Sequence, residues 1–402
     1  MRGARRKGPA ATAVRSSYCP DNVTDRYPGD GTDVPCVRYW GVWVCRDQRD
    51  FRRPTRSTRT TAQQEGHGLV ARFRTWAGIA LAGALCVSLT ACSSTGGKRA
   101  EDARKAAAQG RAAVSTPRWT FAMITHSGDG DTFWDIVQEG AEEAARKDNI
   151  DFLYSHDDEA QQQAQLVDAA VDKKVDGIIV SLAKPDALKD SVARAVKAGI
   201  PVITVNSGSA RSKEFGALAH IGQDETVAGE AVGEELNERG RKNALCVLHE
   251  QGNVGHEQRC DGVAKTFRGT LQRLYVNGTN MPDVQSGIEA KLQSDRSVDA
   301  VVTLGAPYAD TAVKARESAG SKAEIDTFDL NAKVATGLRD GILGFAVDQQ
   351  PFLQGYEAVD LLWLYRYNDD TLGGGRPVLT GPQIVDKKQA ASLLAYTRRG
   401  TR

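Results

Sequence analysis

No charge of either sign dominates this chain: 52 Lys and Arg stand against 51 Asp and Glu. The balance averages two unlike parts. Residues 1–91 hold 15 Lys and Arg against 7 Asp and Glu, which leaves 37 against 44 from Cys92 onward. A mildly acidic body is unsuited to nucleic acid or to an anionic membrane surface, so nucleic acid is not expected as a partner. No G-x-G-x-x-G opens a helix after the first strand, which removes the usual dinucleotide fingerprint. His249-Glu250 lacks the second histidine of a metalloprotease helix, and Asp129-Gly130-Asp131 is too short for a calcium loop. With no base-and-nucleophile pair and no cofactor loop apparent, the chain is expected to be no enzyme and to carry neither cofactor nor metal.

Long apolar runs are scarce too. The stretch from Trp76 to Cys92 is too short, and too rich in Gly and Ala, for a comfortable membrane span. Arg72 and Arg74 precede it and small residues end it, the design of a secretory signal peptide over 70–91. Its end, Leu89-Thr90-Ala91-Cys92, resembles the bacterial lipobox, in which the cysteine is diacylated and becomes the mature N-terminus. Acyl chains would hold the protein at the outer face of the cell membrane. Ser93, Ser94, Thr95, Gly96 and Gly97 then open a flexible tether, so that 92–117 is expected to link anchor to body. Residues 1–69 show no sustained periodicity and precede a signal that belongs at an N-terminus. They are expected to be an untranslated or disordered extension, with Val70 as the true start.

Cysteine is also sparse in the body. Of seven, Cys19, Cys36, Cys45 and Cys86 precede the lipobox and Cys92 would be lipidated, which leaves Cys246 and Cys260. One sits on an expected strand and the other starts the next helix. An oxidising compartment favours a disulfide between them, with two free thiols as the alternative.

What is present is a repeated alternation of strand and helix. Trp119–Thr125 is a short apolar run suited to a strand buried on both faces. Residues 133–147 place Phe133, Ile136, Val137, Gly140, Ala141 and Ala144 at helical spacing. Strands at 150–155, 176–181 and 201–206 continue the series, with helices at 159–174 and 185–198. Further strands are expected near 217–221, 244–249, 298–304, 323–328 and 343–347. So many βαβ units exceed one comfortable sheet, and two doubly wound parallel-sheet α/β lobes are expected. Ligands of such sheets bind beyond the carboxyl ends of the strands. His126, Asp131, Phe133 and Trp134 follow the first strand, Asn206 ends the Pro201 strand, and Asp329 and Gln349 follow two later ones. Arg259 is expected at the start of the helix after Leu245–His249, facing the cleft as a contact rather than as core support. The alternative is a helix cap or a salt bridge to Asp261. Carboxylates, amides, a guanidinium and flat aromatics together suit a sugar.

The stretch from Arg118 to Asp386 resembles the ribose-type periplasmic binding proteins. Pro201-Val-Ile-Thr-Val-Asn206, His220-Ile-Gly-Gln-Asp-Glu225 with Ala228-Gly-Glu-Ala-Val-Gly233, Arg259-Cys-Asp-Gly262 and Asp348-Gln-Gln-Pro-Phe-Leu-Gln-Gly355 carry the likeness. The resemblance implies a type I fold of two lobes joined by three crossovers. The N-terminal lobe would take 118–221 plus 350–378, and the C-terminal lobe 222–349 plus 379–402. It also implies that Phe133 and Trp134 stack on a sugar ring while Asn206, Arg259, Asp329 and Gln349 bind hydroxyls. Asn206-Ser207 and Gly305-Ala-Pro-Tyr308 depart from the ribose pattern, which has an acidic residue and Arg, then an Asn-Asp pair. A hexose, pentitol or inositol therefore fits as well as ribose. The implied function is a monomeric, extracytoplasmic lipoprotein that captures a sugar, polyol or cyclitol for the permease subunits of an ABC importer. The alternative is presentation of the ligand to a membrane sensor kinase. A repressor of the same core would need a DNA-binding segment where this chain has its signal peptide.

Overall fold

The computed structural model of the protein describes residues 36–39, 42–45, 114–128 and 130–402. The chain falls into two units, Met1–Val87 and Ser88–Arg402. In the first, strand β1 (Cys36–Tyr39) pairs antiparallel with β2 (Val42–Cys45), Cys36 opposite Cys45. The expected signal peptide, Cys92 and the expected tether as far as residue 113 lie outside the described residues, as does Asp129.

The second unit begins its first sheet with β3 (Thr120–Thr125). Phe121 and Met123 face one apolar cluster, Ala122 and Ile124 another, so both faces of the strand are covered. It pairs in parallel with β4 (Asp151–His156) on one side and β5 (Gly177–Ser181) on the other. Parallel strands β6 (Val202–Val205) and β7 (Ala219–Gly222) extend the sheet. Helices α1 (Thr132–Asp148), α2 (Ala160–Asp172), α3 (Pro185–Lys197) and the single turn α4 (Ser209–Ser212) make the returns. The second sheet is built alike from β8 (Asn243–Leu248), β9 (Thr270–Tyr275), β10 (Ala300–Thr303), β11 (Glu324–Phe328) and β12 (Ala346–Asp348). Its helices are α5 (Glu225–Glu238), α6 (Val254–Thr266), α7 (Met281–Ser294), α8 (Ala306–Ser318) and α9 (Ala332–Asp340).

After β12 the chain returns to the first lobe as α10 (Pro351–Asn368), which packs on α1. Strand β13 (Val378–Leu379) then joins β7 in parallel, and β14 (Gln383–Val385) joins β12 antiparallel before α11 (Lys387–Arg399). The strand orders are β13-β7-β6-β5-β3-β4 and β14-β12-β11-β10-β8-β9. The chain crosses between lobes after β7, after β12 and between β13 and β14, giving the expected pair of doubly wound lobes. Two stretches differ from the expectation. Strand β9 is not among the expected strands, because as an edge strand it mixes exposed and half-buried residues instead of forming an apolar run. Helix α11 follows the expected C-terminal strand and is nucleated by an Asp386–Gln389 capping box.

Glycine notches set two helix pairs close. A Cβ on Gly355 would stand 1.9 Å from the carbonyl oxygen of Val137, and one on Gly262 2.2 Å from that of Thr226. The second notch seats α6 against α5, and so fixes Arg259 relative to Glu225. Among the described residues no helix is long and apolar enough to cross a membrane.

Candidate functional site

The carboxyl ends of both sheets face one cavity of about 640 Å³, and all eight side chains expected at the site border it. Beyond β3, His126 Nδ1 lies 2.7 Å from Ser181 Oγ, which also accepts the His126 backbone N–H. Asp131 caps α1 by accepting the Phe133 N–H. Phe133 and Trp134 open the helix at right angles to each other, and Trp134 meets the His126 ring edge-on at 5.0 Å. Both aromatics also belong to the first-lobe core, with Trp134 only 3% exposed. They are thus wall and core together.

Asn206 and Asp329 stand one residue past β6 and β11 with φ of 64° and 67°. Asn and Asp tolerate this left-handed turn better than most side chains. Asn206 donates to Gln349 Oε1 at 3.1 Å, and Gln349 donates to Asp329 Oδ1 at 2.7 Å. The three form a relay across the floor of the cleft, and Gln354 buttresses it by donating to Gln349 Oε1.

Arg259 departs from the expectation. Helix α6 starts at Val254 under an Asn253 cap, so Arg259 sits in its second turn and not at its start. Its partner is not Asp261, which pairs with Arg273. Arg259 donates through Nε and Nη2 to both oxygens of Glu225 at 2.6 and 3.0 Å, and through Nη1 to the Leu304 carbonyl at 2.9 Å. Its guanidinium carbon lies 4.5 Å from the centre of the Phe328 ring. Three of the five N–H donors of a guanidinium are thereby engaged, leaving two without a partner among the described residues. A residue so bound supports the core as well as lining the cleft.

The electrostatics favour neutral partners. Burial pushes the Asp131 carboxyl up to about 6, against the Phe133 N–H and with help from Asp135 and Glu250. Burial likewise raises Asp329 to about 7, although Arg259 and Gln349 pull the other way. Burial lowers His126, which Glu250 partly offsets. It takes His249 down to about 3, with Arg259 and His126 adding to the effect, and His256 well below its ordinary value. Carboxylates waiting for donors beside neutral imidazoles can grip hydroxyl groups, which both donate and accept. Among the described residues no group of three or more His, Cys, Asp or Glu is placed to hold a metal.

Sequence reasoning passed over part of the wall. His249, His256 and Tyr308 also border the cavity, with His249 stacked on Tyr308 at 3.8 Å and tilted against His256 at 4.3 Å. His249 follows β8 directly, at a strand end where ligands of such sheets bind, but its only sequence signal is an incomplete metal motif with Glu250. Behind this wall the Cys246 and Cys260 sulfurs lie at bonding distance, 2.01 Å, linking β8 to α6 beside Arg259.

The periplasmic binding protein domain family matches residues 121–367. A solved carbohydrate transporter from Acidothermus cellulolyticus, in complex with myo-inositol, is 51% identical with a TM-score of 0.70. It covers 71% of this chain, and all of that protein is covered. A xylose/arabinose-binding protein of Sulfolobus acidocaldarius is 26% identical over 304 residues, which are 70% of this chain and 74% of that one. A ribose import binding protein of Haemophilus influenzae is 24% identical over 229 residues, 56% of this chain and 76% of its own length. Each is named for binding or transport.

Proposed function

Since the chain belongs to the periplasmic binding protein domain family, we propose that its cleft captures a small polyhydroxylated ring, a cyclitol such as myo-inositol first among sugars, polyols and cyclitols, and delivers it to an ABC importer. The observation that carries this reading is the convergence of two raised carboxyls, Asp131 and Asp329, with neutral imidazoles on one cavity. A ring hydroxyl supplies what each lacks. The myo-inositol complex of the Acidothermus relative supports the choice of a cyclitol. On this reading His126, Asp131, Asn206, Arg259, Asp329 and Gln349 hold hydroxyls while Phe133 and Trp134 cover an apolar ring face. The protein works outside the cell membrane, held there by a diacylated Cys92 through the tether, with Cys246 and Cys260 oxidised.

A thermal-shift panel of myo-inositol, D-xylose, D-ribose, D-allose and xylitol tests the proposal. A ligand present at 100 times its Kd adds about 2.7 kcal/mol to folded-state stability. The melting temperature should therefore rise with at least one member, and most with myo-inositol. No rise with any of them contradicts the proposal.

A further inference from the structure

The wall made by His249, His256 and Tyr308 is built with a care that the eight expected residues do not account for. His256 is held in the first turn of α6, where Asn253 Oδ1 accepts its backbone N–H at 3.3 Å. His249 is confined by glycines: a Cβ on Gly278 would stand 3.0 Å from its own Cβ, and one on Gly305 3.3 Å from its Cε1. Tyr308 covers its other side and reaches the Gly278 carbonyl at 3.4 Å. Each ring is thus placed before any ligand arrives, as a selective site requires. In both rings Nδ1 is buried with no hydrogen-bond partner among the described residues. A proton on that nitrogen would be an unsatisfied buried donor, whereas neither Nε2 is among the buried unpartnered atoms, so the proton is assigned to Nε2.

We infer that His249 and His256 are specificity-determining ligand contacts, two neutral imidazoles that donate from Nε2 to hydroxyl oxygens on the second-lobe side of a ring hydroxylated at every carbon. The inference rests on the polyol reading above and narrows it. A ligand that reaches only Asp131, Asp329 and Arg259 strips water from both imidazoles and gives nothing back. Sites built to meet a hydroxyl reject analogues that lack it far more strongly than apolar pockets reject a missing methylene. A pentopyranose offers fewer hydroxyls around its ring than a cyclitol does, so this wall selects against it. Buried rings beside Arg259 resist a further positive charge, so both remain neutral donors.

The test compares myo-inositol with D-xylose by titration calorimetry on the protein and on His249→Phe, His256→Phe and His256→Gln. The Phe changes keep a flat ring and remove the donor, while Gln keeps an N–H of similar reach. Each Phe variant should lose about tenfold or more in affinity for myo-inositol, the worth of one hydrogen bond denied to a buried partner. D-Xylose should change by less than about threefold, and His256→Gln should stay close to the parent protein. Affinity for myo-inositol unchanged in both Phe variants overturns the inference. So does an equal loss for both ligands, or a loss in His256→Gln as large as in His256→Phe. A parent protein that binds no polyol at all fails the proposed function and carries this inference down with it; binding that is indifferent to the variants fails this inference alone.

Discussion

Arg259 and Glu225 have side chains only 3% exposed, so neither charge is tolerable there without the other. Removing one partner of such a pair costs about 3–5 kcal/mol, because an unpaired charge stays buried. Arg259→Ala should therefore lower the melting temperature of the ligand-free protein by many degrees as well as weaken ligand binding. Replacing both partners, with Arg259→Met and Glu225→Leu, should recover most of the stability without restoring affinity. Thermal melts of the single and double variants decide the matter, and an unchanged melt for Arg259→Ala contradicts the buried-pair account. From the sequence, Arg259 was legible as a cleft residue but not as a core ion pair, since its partner lies 34 positions away on another helix. Tyr308 was legible only as a departure from a familiar pattern, because the stack that gives it meaning joins the ends of two different strands. Phe133 and Trp134 were expected as ring-stacking residues, and the structure gives them a packing role that apolar spacing alone could not separate from contact.

At the level of elements, the proposed disulfide between Cys246 on β8 and Cys260 on α6 would tie the helix that carries Arg259 and His256 to its sheet. Both are fully buried. Thiol counting on unfolded, unreduced protein that begins at Cys92 should find neither free. A closed loop of this size contributes about 3 kcal/mol in the chain-entropy model, so reduction should visibly lower the melting temperature. Two titratable thiols in the exported protein would refute the pairing. Central strands such as β3 and β5 announced themselves as apolar runs because helices cover both of their faces. Strand β9 did not, since an edge strand half open to water needs no such run. The extent of helix α6 followed from Asn253, a capping residue with no apolar signature of its own.

On the scale of the molecule, the two lobes touch around the cavity. Val254 N–H donates to the Ala183 carbonyl at 3.0 Å, and Glu250 of the second lobe approaches Lys184 at 3.4 Å and His126 at 3.8 Å. On the proposed function, a ligand held on both sides would join one lobe to the other and so report that the protein is loaded. The anchor proposal is tested separately: growth with labelled palmitate should label the protein, and Cys92→Ser should abolish the label. Label that survives the substitution sinks the lipoprotein reading.

The carboxyls give the cleft a proton dependence. Hydroxyl donors favour the ionised form of Asp329, whose carboxyl stands near 7 without a ligand. Affinity should therefore rise as pH rises through that value, while His249 and His256, held far lower, remain neutral throughout. Calorimetric titration of the protein with myo-inositol at pH 5.5 and pH 8 bears on the polyol site most directly. Saturable binding of one ligand per chain, about tenfold tighter at pH 8, is the expected result. No saturable heat at either pH, with myo-inositol or with any sugar of the panel, would contradict the claim that this cleft is a polyol site.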